Sequence, residues 1–113
     1  MSQITTHILD TAVGKPAENV PIRLERPSGN DTWESLGSGK TNSDGRLPNL
    51  LPNDAPLAPG TYRLVFEVAD YFKATGRKSF YPFIPIVFEV FDDSHYHVPL
   101  LLNPFGYSTY RGS

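Results

Sequence analysis

The chain contains no cysteine. That single absence removes disulfides, thiolate metal ligands and cysteine nucleophiles together, and it is compatible with a reducing compartment. Concentrated positive charge is missing too. Ten Lys and Arg stand against twelve Asp and Glu, a formal net charge of −2. The longest basic run is the pair Arg77-Lys78, so a nucleic-acid partner, which calls for a basic stripe, is not expected. No stretch reaches the roughly 18 consecutive apolar residues of a membrane span, and no membrane association is expected. A basic-then-apolar leader and a Ser-Lys-Leu-type peroxisomal address are both absent, which makes a cytoplasmic location the default expectation. Neither a Gly-rich phosphate loop nor a Gly-x-Ser-x-Gly nucleophile elbow occurs. Histidine is scarce, with three in the whole chain.

What is present is turn chemistry and bulk. Eleven Pro and nine Gly punctuate 113 residues, and seven Phe with six Tyr supply the volume for a core. This length suits one domain spanning residues 1–113. Alternating apolar residues predict strands at Thr61–Val68 and Tyr96–Leu102, Ile86–Phe91 is β-rich with Glu89 interrupting it, and earlier strands are expected at Ile4–Thr11, Val20–Glu25 and Thr32–Lys40. Turns are expected at Val13-Gly14-Lys15-Pro16, Pro27-Ser28-Gly29-Asn30, Ser43-Asp44-Gly45 and Ala58-Pro59-Gly60. Only Ala69–Thr75 reads as a helix, with Asp70 as its N-cap and Gly76 as its stop. About eight short strands with one short helix indicate an all-β, antiparallel β-sandwich.

Few side chains are left for chemistry. On a strand, His95 and His97 share one face, opposite Tyr96 and Val98. They read as solvent-facing polar residues, as a metal pair, or as a source of one general base. His7 lies on the first strand with Thr5 and Leu9 on its own face. Arg46 leaves the Ser43-Asp44-Gly45 turn. It is either a solvated cation or a fork of donors for a planar, carbonyl-rich ligand, and near an imidazole it would lower that imidazole's pKa. The last four residues, Tyr110-Arg111-Gly112-Ser113, put an aromatic ring, a cation and a hydroxyl together. Spacing alone leads no further than a sandwich with polar groups that could converge.

The segment from His97 to Ser113, ending in that tetrapeptide, closely resembles the 5-hydroxyisourate hydrolases, transthyretin-related enzymes of urate breakdown. Thr6-His7-Ile8-Leu9-Asp10 with Gly14-Lys15-Pro16-Ala17 is similar to the family's opening motif, and Ser43-Asp44-Gly45-Arg46 to its middle one. The resemblance covers essentially the full length and implies a transthyretin-like sandwich assembled as a homotetramer, a dimer of dimers. It implies ring-opening hydrolysis of 5-hydroxyisourate without metal or cofactor. It also implies His7, Arg46, His97 and Ser113 as catalytic residues, with Tyr110, Arg111 and Gly112 joining His7 and Arg46 in substrate binding. His95 is then a neighbour of the site or a solvent-facing residue. Two rival readings remain at this stage: a carrier of small molecules in the manner of transthyretin, and a zinc hydrolase using His7, His95 and His97.

Overall fold

Period-two burial is the rule that builds the molecule. In the computed structural model, which describes residues 2–51 and 56–112, the first strand, β1 (Ile4–Asp10), buries every second side chain and leaves the others half-exposed. The remaining elements are β2 (Lys15–Pro16), β3 (Pro21–Gly29), β4 (Thr32–Lys40), β5 (Gly60–Phe66), α1 (Ala69–Ala74), β6 (Ile84–Val90), β7 (Tyr96–Asn103) and β8 (Gly106–Thr109). They form two four-stranded sheets, ordered β2-β1-β7-β8 and β4-β3-β5-β6. The inward faces meet in one core: Ile4, Ile8, Leu100 and Leu102 from the first sheet pack with Leu24, Leu64, Phe66 and Ile84 from the second. The sandwich expected from the sequence is the architecture found.

Several local expectations change. All strand pairs are antiparallel except β1 with β7, which run parallel in the middle of the first sheet. Lys15–Pro16, read as turn, pairs with Leu9–Asp10 as a two-residue strand. The third strand does not stop at Glu25. It runs on through Pro27 to Gly29, while β5 accompanies it only as far as Glu25. Beyond that point β3 and β4 form a two-stranded ribbon with an open edge, where a proline lacking its N–H is tolerated. Its turn is Asn30-Asp31, both with positive φ (49° and 63°), as a two-residue type I′ hairpin requires. Nor does Asp70 cap α1. The N-cap is Val68, with no side-chain cap bond, and Asp70 lies in the first turn. Burial of Val68 and an Ala69 N–H bond to the Pro82 carbonyl at 3.1 Å fix that helix start instead.

The last residue of β1 anchors the helix. Asp10 is completely buried. Its carboxylate accepts hydrogen bonds from Arg77 at 2.5 Å, from the Tyr71 hydroxyl at 2.7 Å and from the Ala12 N–H at 3.1 Å. Burial would push the Asp10 pKa up, but these donors outweigh it and hold the carboxyl below the usual carboxylate range. Arg77→Met, which strands this carboxylate in the core, should lower the free energy of unfolding at pH 7 by about 3 kcal/mol. Because the folded-state pKa is depressed, the Asp10 contribution is present above the unfolded value and lost as pH falls through the folded one. The gap between variant and parent in urea titrations should therefore narrow below about pH 4. Equal stability at pH 7 would contradict this role for the pair.

Candidate active site

Since the buried residues of β1 and β7 point inward, the alternate ones are forced outward together. The parallel register sets Thr5 beside His97 and His7 beside Pro99. Two further segments extend this outward face on either side. Arg46 bridges to His7 in antiparallel fashion, with the Ile8 N–H donating to the Gly45 carbonyl at 2.8 Å. Gly112 bridges to His97, its N–H donating to the His97 carbonyl at 2.8 Å. Arg46, His7, His97 and Gly112, far apart in sequence, thus sit side by side.

The loop that carries Arg46 is fixed by Asn42. Its side-chain carbonyl accepts from the backbone N–H groups of Asp44 and Arg46, at 2.9 and 3.1 Å, while its own N–H donates to the Arg46 carbonyl at 2.9 Å. Gly45 has φ of +73°, and a Cβ there would lie 2.5 Å from the Ile8 carbonyl oxygen. Only glycine lets the turn press against β1 and deliver Arg46 next to His7. Asn42 was not singled out from sequence, although an Asn two residues before Asp-Gly is a recognisable side-chain-closed turn.

Thr5 was noted only as a face partner of His7, yet its hydroxyl is hydrogen-bonded to both other histidines. It lies 2.8 Å from His97 Nδ1 and 2.8 Å from His95 Nε2. The two rings are nearly parallel, with centroids 6.4 Å apart and planes inclined by 24°. On its other side the His97 ring rests against Gly112, where a Cβ would come within 2.7 Å of Cδ2. An open depression of about 320 Å³ beside these groups is lined by Thr5, Thr6, Arg46, Leu47, Pro48, His95 and His97.

Electrostatics favour neutral imidazoles. Burial lowers the pKa of His7, Arg46 lowers it further, and Asp44 partly offsets this. His97 is likewise lowered, first by burial, then by the charges of Arg46, His7 and His95. Near neutral pH both rings hold a free lone pair, which is what a general base needs.

Not every residue named from sequence reaches this face. The Arg111 guanidinium stacks over the Tyr96 ring at 4.1 Å and donates to the His95 carbonyl at 3.2 Å. Tyr110 is 59% exposed and borders a groove shared with β6 rather than the depression. Ser113 lies outside the described residues. Among the described residues, no group of three or more His, Cys, Asp or Glu is placed to hold a metal ion, so the geometry gives the three-His zinc reading no ligand set.

Comparison with known proteins adds identity to geometry. A relative from Rhizobium meliloti (strain 1021), 5-hydroxyisourate hydrolase 2, is 50% identical over 116 residues, covering 98% of this chain and 96% of its own. The Mus musculus 5-hydroxyisourate hydrolase is 46% identical over 114 residues, covering 99% and 96%. Among solved structures, Klebsiella pneumoniae 5-hydroxyisourate hydrolase superimposes with a TM-score of 0.84 at 39% identity, covering 97% of this chain and 92% of that one. Sea bream transthyretin in complex with thyroxine gives 0.87 at 28% identity, covering 97% and 94%. The family model described as HIUase/Transthyretin matches residues 4–112. This chain belongs to the HIUase/Transthyretin family.

Proposed function

We propose that this protein hydrolyses 5-hydroxyisourate, opening the lactam of its six-membered ring to give 2-oxo-4-hydroxy-4-carboxy-5-ureidoimidazoline in urate breakdown. The observation that carries the reading is the outward face on which Arg46, His7 and His97 adjoin one another beside an open depression. The identity of about half the residues with hydrolases of that name supports the same substrate.

The chemistry follows from the groups present. A neutral imidazole takes a proton from water as the water oxygen bonds to the lactam carbonyl carbon. The tetrahedral intermediate then collapses with cleavage of the carbon–nitrogen bond, and the departing nitrogen receives a proton. Arg46 offers a planar fork of donors to the substrate oxygens and to the developing oxyanion. Either His7 or His97 can serve as the base, with the other orienting water. Ser113 follows Gly112 in sequence, and its place as a proton relay rests on the family resemblance alone. The substrate contacts assigned to Tyr110, Arg111 and Gly112 have the same basis. For Arg111, the stacked guanidinium leaves the backbone as the contacting group.

Assembly as a dimer of dimers belongs to this proposal. Among the described residues, the outer strands β6 and β8 each lack a partner on one side. They flank a groove of about 290 Å³ lined by Ile86, Phe88, Val98 and Tyr110 among others. Val87 and Phe91 are 58% and 70% exposed there, an apolar edge suited to a second copy. A cytoplasmic location is also part of the proposal and rests on the sequence.

Following the ultraviolet decay of hydroxyisourate generated in situ from urate tests the reading directly. Wild type should accelerate the decay, and His97→Ala or Arg46→Ala should lower kcat/KM by about 100-fold or more. Wild-type decay at the uncatalysed rate would reject the activity. The pH profile carries a sign. Both imidazole pKa values lie below the ordinary value near 6.5, so activity should hold at neutral pH and fall only in more acidic buffer. Arg46→Ala removes one of the lowering charges and should move that acidic limb to higher pH. Gly112→Ala should displace the His97 ring and reduce kcat while leaving thermal unfolding nearly unchanged. Parental kcat in this variant would show that the ring tolerates the added methyl group.

A further inference from the structure

His97 has a second hydrogen-bonding direction that the hydrolysis scheme does not use. Its Nδ1 meets the Thr5 hydroxyl, and that same hydroxyl meets Nε2 of His95, each at 2.8 Å. A threonine hydroxyl has one proton, so with both rings neutral it can donate to only one of them and must accept from the other. The tautomers of the two rings are therefore locked to each other: one ring carries its proton on the nitrogen facing Thr5, and the other does not. His95 is exposed and half-stacked on His97, whereas His97 is half-buried beside Arg46 and His7.

We infer that Thr5 and His95 are positioning residues that hold the His97 tautomer and carry its second proton away from the cationic face during turnover. This inference rests on the reading of His97 as the base of the hydrolysis. At the start, His97 Nδ1–H donates to Thr5 and the Thr5 hydroxyl donates to His95 Nε2, leaving His97 Nε2 as the lone pair for water. No hydrogen bond to His97 Nε2 is formed among the described residues. When Nε2 takes the water proton, the Nδ1 proton passes to the Thr5 oxygen as the Thr5 proton passes to His95. His97 is then neutral and His95 is the cation. When the carbon–nitrogen bond breaks, Nε2 gives its proton to the nitrogen and both shifts reverse. The protons balance over the cycle, and none is gained or lost.

The surroundings give this shuttle its direction. A positive charge on His97 would sit beside Arg46 and His7, which already disfavour it. On exposed His95 the charge is screened by water. Ionisable groups near that end include Asp93, Arg111, which donates to the His95 carbonyl, and Asp92, whose carboxylate accepts from Ser94 at 2.5 Å.

Three variants separate a proton relay from a mere pin. Thr5→Val removes the hydroxyl at nearly constant volume, Thr5→Ser retains it, and His95→Gln retains a hydrogen-bonding side chain that takes no proton. Thr5→Val and His95→Gln should each lower kcat about tenfold with KM little changed, while Thr5→Ser stays near the parent. Nitrogen-15 NMR of the imidazoles provides a readout without substrate: His97 should show a proton on Nδ1 in the parent and in Thr5→Ser, and lose that preference in Thr5→Val. Parental kcat in His95→Gln, or a His97 tautomer indifferent to Thr5→Val, overturns the relay. Should the parent fail to accelerate hydroxyisourate decay, the hydrolase reading falls separately, and the tautomer measurement still decides whether Thr5 couples the two rings.

Discussion

The parallel ladder between β1 and β7 leaves no freedom of register. Ile4, Ile8, Leu100 and Leu102 are at most 1% exposed, and strand side chains alternate with a period of two. Sliding either strand by one residue would drive its buried side chains to solvent and carry His7 or His97 into the core. Exposing the two such side chains of one strand would cost roughly 3–6 kcal/mol, a large share of the stability of a domain this size. Hydrophobic burial on one face therefore fixes the polar arrangement on the other to within a single residue. The histidines hold their relative places because the leucines and isoleucines behind them cannot move.

Against that rigid ladder, the second requirement is electrostatic. Bringing Arg46 beside two imidazoles costs little while the imidazoles stay neutral, and it becomes unfavourable once either is protonated. The cluster thus selects the basic form of histidine near neutral pH by the same charge that suits a carbonyl-rich substrate. One residue serves both ends because the guanidinium remains charged throughout. The sandwich itself makes no such selection. It superimposes on a hydrolase with a TM-score of 0.84 and on a thyroxine-bound transthyretin with 0.87. Overall shape does not tell catalyst from carrier, and the outward face of one sheet has to.

Much of this was legible in the chain because its main signals are periodic. Strand patterning between turns gave β1, β4, β5 and β7 with ends within two residues, and the inward set of β7 followed from the alternation of Tyr96, Val98, Leu100 and Leu102. Local reasoning failed where a distant partner decides the conformation. Pro27 looked like a turn, but pairing with Trp33 keeps it in the ribbon. Lys15–Pro16 becomes a strand only because β1 offers it an edge. Asp70 lost the helix cap to buried Val68. The same limit applied at the site. His7, Arg46 and His97 stood out by residue type, but only resemblance to a family joined them with Gly112 in one site, and nothing in their spacing announces that they adjoin. Asn42 passed unremarked, and Thr5 was noted only as a face partner of His7, because their importance lies wholly in what they touch.

Gly112 shows why the chain end matters beyond the side chains it carries. The His97 ring is held by Thr5 at Nδ1 on one side and faces the Gly112 backbone on the other, with no room for a Cβ between them. Rotation in one direction breaks the Thr5 bond, and rotation in the other meets the backbone. Immobilising a side chain on binding typically costs about 0.5–1.5 kcal/mol, and a ring already confined avoids most of that cost when substrate arrives. The absence of a side chain at Gly112 is therefore a positive contribution to the site. It lets a strand-like segment pack directly against an imidazole, so that the position of the ring is set during folding rather than by a ligand.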